Sequence, residues 1–232
     1  MKHLYIILLC LPLIVFGQGW EQTFGGSDSD IGYCVQQTTD GGYIVCGSTQ
    51  SYGNGGDDIY LIKTDGNGNE EWSRTFGGTG NDIGRSVQQT SDGGYIITGD
   101  LEFFGNNPLD IYLIKTDGNG NEEWSQTFGG LNSGNSYNSD NGYSVQQTED
   151  GGYIITGTTS SFGNGGDDVY LIKTDENGEE EWSQTFGGTI FDRGYSIQQT
   201  SDGRYILCGT TYENGEFLVY LIKIDENGEE EW

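Results

Sequence analysis

The chain has 232 residues, with 36 acidic side chains against nine Lys and Arg, for a formal charge of −27. So acidic a surface repels phosphate backbones and anionic lipid, which excludes nucleic acid and membrane surfaces and leaves basic proteins, divalent cations and neutral glycans. Hydrophobic residues make up only 33% and Gly is abundant at 41, yet aromatic and β-branched residues fall in short regular runs, as expected of a turn-rich folded protein.

In chain order, Lys2 and His3 precede the apolar run LYIILLCLPLIVF, which ends before Gly17 and Gln18. A charged start, an apolar centre and a small residue at the end form the pattern of a secretory signal peptide. Residues 1–18 are therefore expected to be removed and 19–232 exported, secreted or held at the cell surface. The run is too short for a comfortable membrane span, so no membrane insertion is expected. Cys10 follows Leu9, where a lipoprotein signal carries a small residue.

From Trp20 onward the chain repeats itself. Trp20, Trp72, Trp124, Trp182 and Trp232 are spaced by 52, 52, 58 and 50 residues, each within or at the end of a string like YLIKTDENGEEEWSQTFGG. A period of this length marks an array of one supersecondary unit, with repeats at about 20–72, 73–124, 125–182 and 183–232. In the second unit, RSVQQT (85–90) and YIITG (95–99) flank the turn SDGG and predict a hairpin. IYLIKTD (111–117) and EEWSQTFG (122–129) flank Asn119-Gly120 and predict a second hairpin. Four short antiparallel strands per fifty residues predict an all-β protein, a β-propeller of four-stranded blades. The nearly continuous apolar runs fit strands covered on both faces by neighbouring blades. The five tryptophans are expected to pack those blades together.

The string S-V-Q-Q-T-x-D-G-G-Y-I-I-T-G with Y-L-I-K-T-D-x-N-G-x-E-W is similar to repeats of secreted bacterial and archaeal surface proteins. Its Asp-x-Asn-Gly and Glu-x-Trp elements resemble the third-to-fourth strand hairpin of tryptophan-docking, quinoprotein-like propellers. The resemblance implies the fold; it implies no quinone chemistry, and no cofactor is expected.

About four repeats are few for a closed propeller. Both ends offer the same element, WEQTFGG at the start and Glu231-Trp232 at the finish, which predicts an open arc or a piece of a larger propeller, with apolar flanks prone to self-association. Cys34, Cys46 and Cys208 align with Ser or Thr in sister units and are expected to be free thiols, mostly buried.

The turns TTDGG, TSDGG, TEDGG and Asp-x-Asn-Gly are monotonous and share one rim. The loops on the other rim vary between units, most of all at 131–141, and mark the expected recognition face. It carries two candidate sets. Tyr52, Phe103, Phe104, Tyr137, Phe162 and Tyr212 suit stacking on sugar rings. Asp30, Asp82, Asp140 and Asp192 each precede the innermost strand, where they either form a circle of carboxylates suited to Ca²⁺ or shape their own turns. The repeated acids single out no catalytic pair. The sequence therefore favours an exported module that binds a protein or glycan without catalysis, not an enzyme. A carbohydrate-active enzyme using rim carboxylates and a structural spacer are the alternatives.

Overall fold

The computed structural model describes residues 19–102, 109–130 and 139–232; the expected leader 1–18 lies outside them. The first blade holds β1 (Asp30–Gln37), β2 (Tyr43–Thr49), β3 (Asp58–Thr64) and β4 (Glu70–Phe76). The second holds β5 (Ile83–Gln89), β6 (Tyr95–Glu102), β7 (Leu109–Thr116) and β8 (Glu122–Phe128), and the third β9 (Asp140–Gln147), β10 (Tyr153–Thr159), β11 (Asp168–Thr174) and β12 (Glu180–Phe186). Each is one antiparallel sheet paired in chain order. In the fourth, β13 (Asp192–Gln199), β14 (Tyr205–Glu213) and β15 (Glu216–Ile224) form a sheet of three strands. The chain is an all-β propeller arc, with no helix among the described residues.

The hairpins follow from turn chemistry. Asp65 Oδ1 accepts the N–H groups of Asn67 and Asn69, while the Asp65 N–H donates to Asn69 O. Gly68, at φ 80°, then takes the left-handed place that closes a three-residue loop. The predicted Asn-Gly hairpin is present, with the glycine alone in the left-handed region.

Blades dock face to face. Ile44, Cys46, Ile59 and Leu61 of the first pack with Val87, Tyr95 and Ile97 of the second. The same positions recur at the second joint around Ile111, Leu113, Val145 and Tyr153, and at the third around Val169, Leu171, Ile197 and Tyr205. Size matching is strict: a Cβ on Gly142 would stand 2.6 Å from Thr98 Oγ1, and one on Gly194 2.5 Å from Thr156 Oγ1. Side chains then seam the inner strands. Gln147 N–H donates to Gln88 Oε1 at 2.6 Å, and Gln199 N–H to Gln146 Oε1 at 3.1 Å.

The tryptophans sit at the border of these cores. Trp72, Trp124 and Trp182 are partly buried and meet Tyr95, Tyr153 and Tyr205 of the following blade edge-on, with centroids 5.7–6.2 Å apart. Trp20 meets Tyr43 in the same way at 5.7 Å. Trp232 is 58% exposed. Aliphatic side chains therefore dominate the joint, and the indoles flank it. Among the described residues the three thiols are free; Cys46 is buried, Cys34 half-buried and Cys208 exposed. Cys34 and Cys46 are register partners without a bond between them.

The arc is open at both flanks. Val35 is 64% exposed, where its equivalents Val87, Val145 and Ile197 are buried; Val219 is 81% exposed, where Ile59, Ile111 and Val169 are buried. Leu113 and Leu221 hold equivalent strand positions, one inside a joint and one on the open flank. Leu113→Ala is expected to cost about 2–5 kcal/mol and Leu221→Ala within about 0.5 kcal/mol, as read by urea denaturation.

Candidate functional site

The monotonous rim is built on buried lysines. Lys63, Lys115 and Lys173 lie at the ends of their third strands, and each reaches two acids, one from the first hairpin's turn and one from the start of the fourth strand: Asp40 and Glu71, Asp92 and Glu123, Asp150 and Glu181, at 2.8–2.9 Å. Each ammonium also donates to the carbonyl of the next threonine. Burial alone pulls Lys63 and Lys173 down, but their acid partners more than reverse it and the lysines lie above the usual value. Burial likewise pushes Asp92 up, while Lys115, Thr90 and the Gly94 N–H hold it down to about 2. These clamps join the two hairpins of a blade. The sequence reading missed them because Lys in a YLIKT strand looks like an ordinary polar residue.

On the variable rim, Asp30, Asp82, Asp140 and Asp192 accept hydrogen bonds from the loop glycines ahead of them: Gly26, Gly78, Gly130 and Gly188 N–H, at 2.6–3.0 Å. Asp30 and Asp140 also take the hydroxyls of Ser51 and Ser161. Asp82, Asp140 and Asp192 are buried inside the joints. No group of three or more His, Cys, Asp or Glu among the described residues is arranged to hold a metal ion.

Each of these three buried acids faces a second carboxylate from the blade before, a pairing that sequence spacing does not reveal. Asp168 Oδ1 and Asp192 Oδ2 each lie 2.5 Å from the place a Cβ on Gly187 would occupy. Asp58 and Asp82 meet across Gly77, and Asp110 and Asp140 across Gly129. Burial, and then the facing Asp140, push Asp110 above the ordinary carboxylate value of 3.8. Asp58 and Asp168 are raised by burial and by Asp82 and Asp192 respectively, against a backbone N–H that lowers each.

The Asp110–Asp140 pair differs from the others. Asp58 and Asp168 are buried and bonded by Asn54 and Asn164 N–H, whereas Asp110 is half-exposed. Asp140 Oδ2 is held by Gly130 and Ser161; its Oδ1 is buried without a partner, as is Asp192 Oδ1. Gly129, between the two acids, also walls a cleft of about 470 Å³ lined by Phe162, Tyr170, Glu180 and Ser183.

Of the aromatics expected on this rim, Phe162 is 42% exposed and leans on Tyr170 at 5.4 Å beside that cleft. Tyr52 leans on Tyr60 over an equivalent cleft of the first blade, and its hydroxyl donates to Gly25 O at 2.9 Å. Tyr212 meets Phe217 edge-on at 4.9 Å. Phe103, Phe104 and Tyr137 lie outside the described residues. A further row went unread in the sequence. Register shifts between Gly32 and Cys34, Gly84 and Ser86, and Gly194 and Ser196 mark bulges at Tyr33, Arg85 and Tyr195, with Tyr143 at the same position of the third blade. Bulges re-aim side chains. Here Arg85 pairs with the buried Asp100 and lies 5.0 Å from the Tyr143 ring centre, and Tyr143 meets Tyr195 at 5.4 Å.

No family model and no curated protein matches the chain. Among solved structures, an endo-1,5-α-L-arabinanase from Thermotoga petrophila RKU-1 is similar at 14% identity and TM-score 0.49, over 84% of this chain and 57% of that one. A candidate exo-β-1,3-galactanase from Bifidobacterium bifidum s17 is similar at 15% and 0.48, over 84% and 68%. A bifunctional GH43-CE protein of Bacteroides eggerthii is similar at 14% and 0.45, over 87% and 26%. The likeness is one of fold, and the chain spans little more than half of the first structure. These neighbours bear the names of carbohydrate-active enzymes, and this corrects the expectation of a non-catalytic binding module and of a protein that is not an enzyme. The tryptophan-docking, quinoprotein-like resemblance finds no counterpart among them.

Asp110 provides a check on the electrostatics. Its folded pKa is raised, so its charged form opposes folding above that value, and the opposition is absent below the unfolded 3.8. Asp110→Asn is therefore expected to raise the melting temperature at pH 7. The gain should shrink as pH falls through the raised value towards 3.8, as followed by thermal scans across pH.

Proposed function

We propose that the chain is a carbohydrate-active enzyme acting on a neutral glycan. The single observation that carries this reading is the unequal pair at the second joint: Asp110 half-exposed and raised in pKa, Asp140 wholly buried and held by two donors. A carboxyl group raised by burial and by a neighbouring carboxylate is suited to the acid role. A Cβ on Gly129 would lie 2.6 Å from Asp110 Cγ and 2.8 Å from Asp140 Oδ2. So close a pair leaves no room for the roughly 6.5–9.5 Å gap that admits a water between two carboxyl groups.

In this reading Asp110, in its acid form, gives its proton to the glycosidic oxygen as the bond to the leaving sugar breaks. Asp140, wholly buried beside it, acts through its charge: it favours the protonated form of Asp110 and steadies the positive charge that gathers at the anomeric carbon. Water then adds to that carbon, with Asp110 taking the proton back. Phe162 supplies a stacking face beside the pair, and the tyrosine row on the inner strands extends the sugar-binding wall. The net charge of −27 favours neutral chains over uronate-rich ones. The pattern of residues 1–18 supports placing the enzyme outside the cytoplasm, and the Trp–Tyr contacts support kinship with tryptophan-docking propellers.

The test is release of reducing ends from a panel of neutral polysaccharides, α-1,5-arabinan and β-1,3-galactan included. Asp110→Asn and Asp140→Asn should each lower kcat by about 10²–10⁴-fold, and Phe162→Ala should raise KM. Asp192→Asn, altering the equivalent acid of the next joint, should leave turnover near wild type. No release from any member of the panel, or equal loss in all three Asp variants, would sink the reading.

A further inference from the structure

Because the units are so alike, a departure from their common pattern stands out within the chain itself. On the innermost strands one bulge position holds Tyr33, Tyr143 and Tyr195, but Arg85 in the second unit. On the adjoining strand one position holds Ser48, Thr158 and Thr210, but Asp100 in that same unit. The two exchanges meet: Arg85 Nε and Nη2 donate to Asp100 Oδ2 at 2.8 and 2.5 Å. Resting on the carbohydrate-active reading above, we propose that Arg85, positioned by Asp100, determines specificity by gripping two adjacent hydroxyls of a neutral sugar unit that lies along the inner strands beside the Asp110–Asp140 pair.

Stability does not account for the exchange. Asp100 is wholly buried, and taking a carboxylate and a guanidinium out of water costs about as much as their attraction returns. The Tyr with Ser or Thr of the sister units fills the same places without charge. What the ion pair adds is a fixed set of donors. A guanidinium is a rigid planar fork of N–H groups. Asp100 engages its Nε side, and among the described residues Nη1 has no acceptor. The unspent end carries parallel N–H groups on Nη1 and Nη2, a spacing that suits two neighbouring oxygen atoms.

The plane of the fork is set as well. The Tyr143 ring centre lies 5.0 Å from Arg85 Cζ, near enough for the ring face to attract the cation, and Tyr195 meets Tyr143 edge-on at 5.4 Å. Arg85 and Tyr143 belong to the two middle blades, each with a neighbour on either side, and both remain only half-buried.

Charge selects the ligand. Asp100 cancels the charge of Arg85, and a chain at −27 repels carboxylates and phosphates. Neutral oxygens side by side remain, which are the vicinal hydroxyls of a sugar ring. Strand β9 gives the position. Asp100 Oδ1 accepts the Gly142 N–H at 3.2 Å, so the anchor of Arg85 is bonded to the strand that begins with Asp140. Tyr143 follows Asp140 on that strand by about 10 Å, at the usual rise per residue. Arg85 therefore reads a sugar unit next to the one being cleaved.

Affinity electrophoresis through gels holding α-1,5-arabinan, β-1,3-galactan, xylan, mannan or polygalacturonate tests this, because retardation reports binding whether or not the glycan is cut. The wild type should be retarded by at least one neutral polysaccharide and not by polygalacturonate. Arg85→Tyr combined with Asp100→Thr installs the pair that the third and fourth units already carry. It should keep the melting temperature within a few degrees and weaken binding roughly tenfold or more. Arg85→Lys keeps the charge beside Asp100 but not the fork, and should weaken binding as much. On any polysaccharide that is cut, both variants should raise KM and leave kcat near wild type. Retardation without release of reducing ends would end the enzyme reading and leave the subsite standing. If the double variant loses its β-sheet circular dichroism, Arg85→Lys alone decides. Wild-type mobility unchanged in every gel, retardation by polygalacturonate, or wild-type binding by Arg85→Lys or by the folded double variant would overturn the subsite.

Discussion

Every feature of this molecule depends on one constraint: a four-stranded sheet of apolar third strands has two faces to bury and can cover neither by itself. Ile59 and Leu61 on one side and Tyr95 and Ile97 on the other are wholly or nearly removed from water only because adjacent blades meet. At roughly 25 cal/mol per Å² of apolar surface, such contacts outweigh the turns and ion pairs that decorate them. On the outer face of β15 the same strand positions stand in solvent. The contrast between Leu61, wholly buried, and Leu221, exposed, is thus a property of position in the array, not of residue type.

The joint also explains where the acids sit. Each inter-blade loop turns on an aspartate that accepts a glycine N–H, which fixes the loop and brings that carboxylate against one from the preceding third strand. A fold selected for docking thereby places like charges together at low exposure, the condition that raises carboxylate pKa values. Two of the three pairs are enclosed and serve the turns. At the second joint the first acid of the pair, Asp110, is half-exposed, and that is the pair on which the proposed chemistry rests.

Much of this was legible beforehand. Tryptophan spacing, the two hairpins and the apolar third strands defined the blades. Less legible was anything set by register or by contact between units. Asp110 and Asp140 are thirty residues apart and look like repeated loop acids until the joint brings them across Gly129. Tyr33, Arg85 and Tyr195 occupy ordinary strand positions in the sequence, and only the bulges reveal their common row. The tryptophans were credited with the docking because of their size, whereas Ile, Leu and Val do the greater share and the indoles border them.

The lysine clamps carry a consequence for how the chain acquires its shape. Each ties the turn of the first hairpin to the third and fourth strands of the same unit, at residues close in sequence. A unit can therefore organise its own hairpins locally and gain stability stepwise as the next unit arrives, much as a row of tiles sets from any starting point.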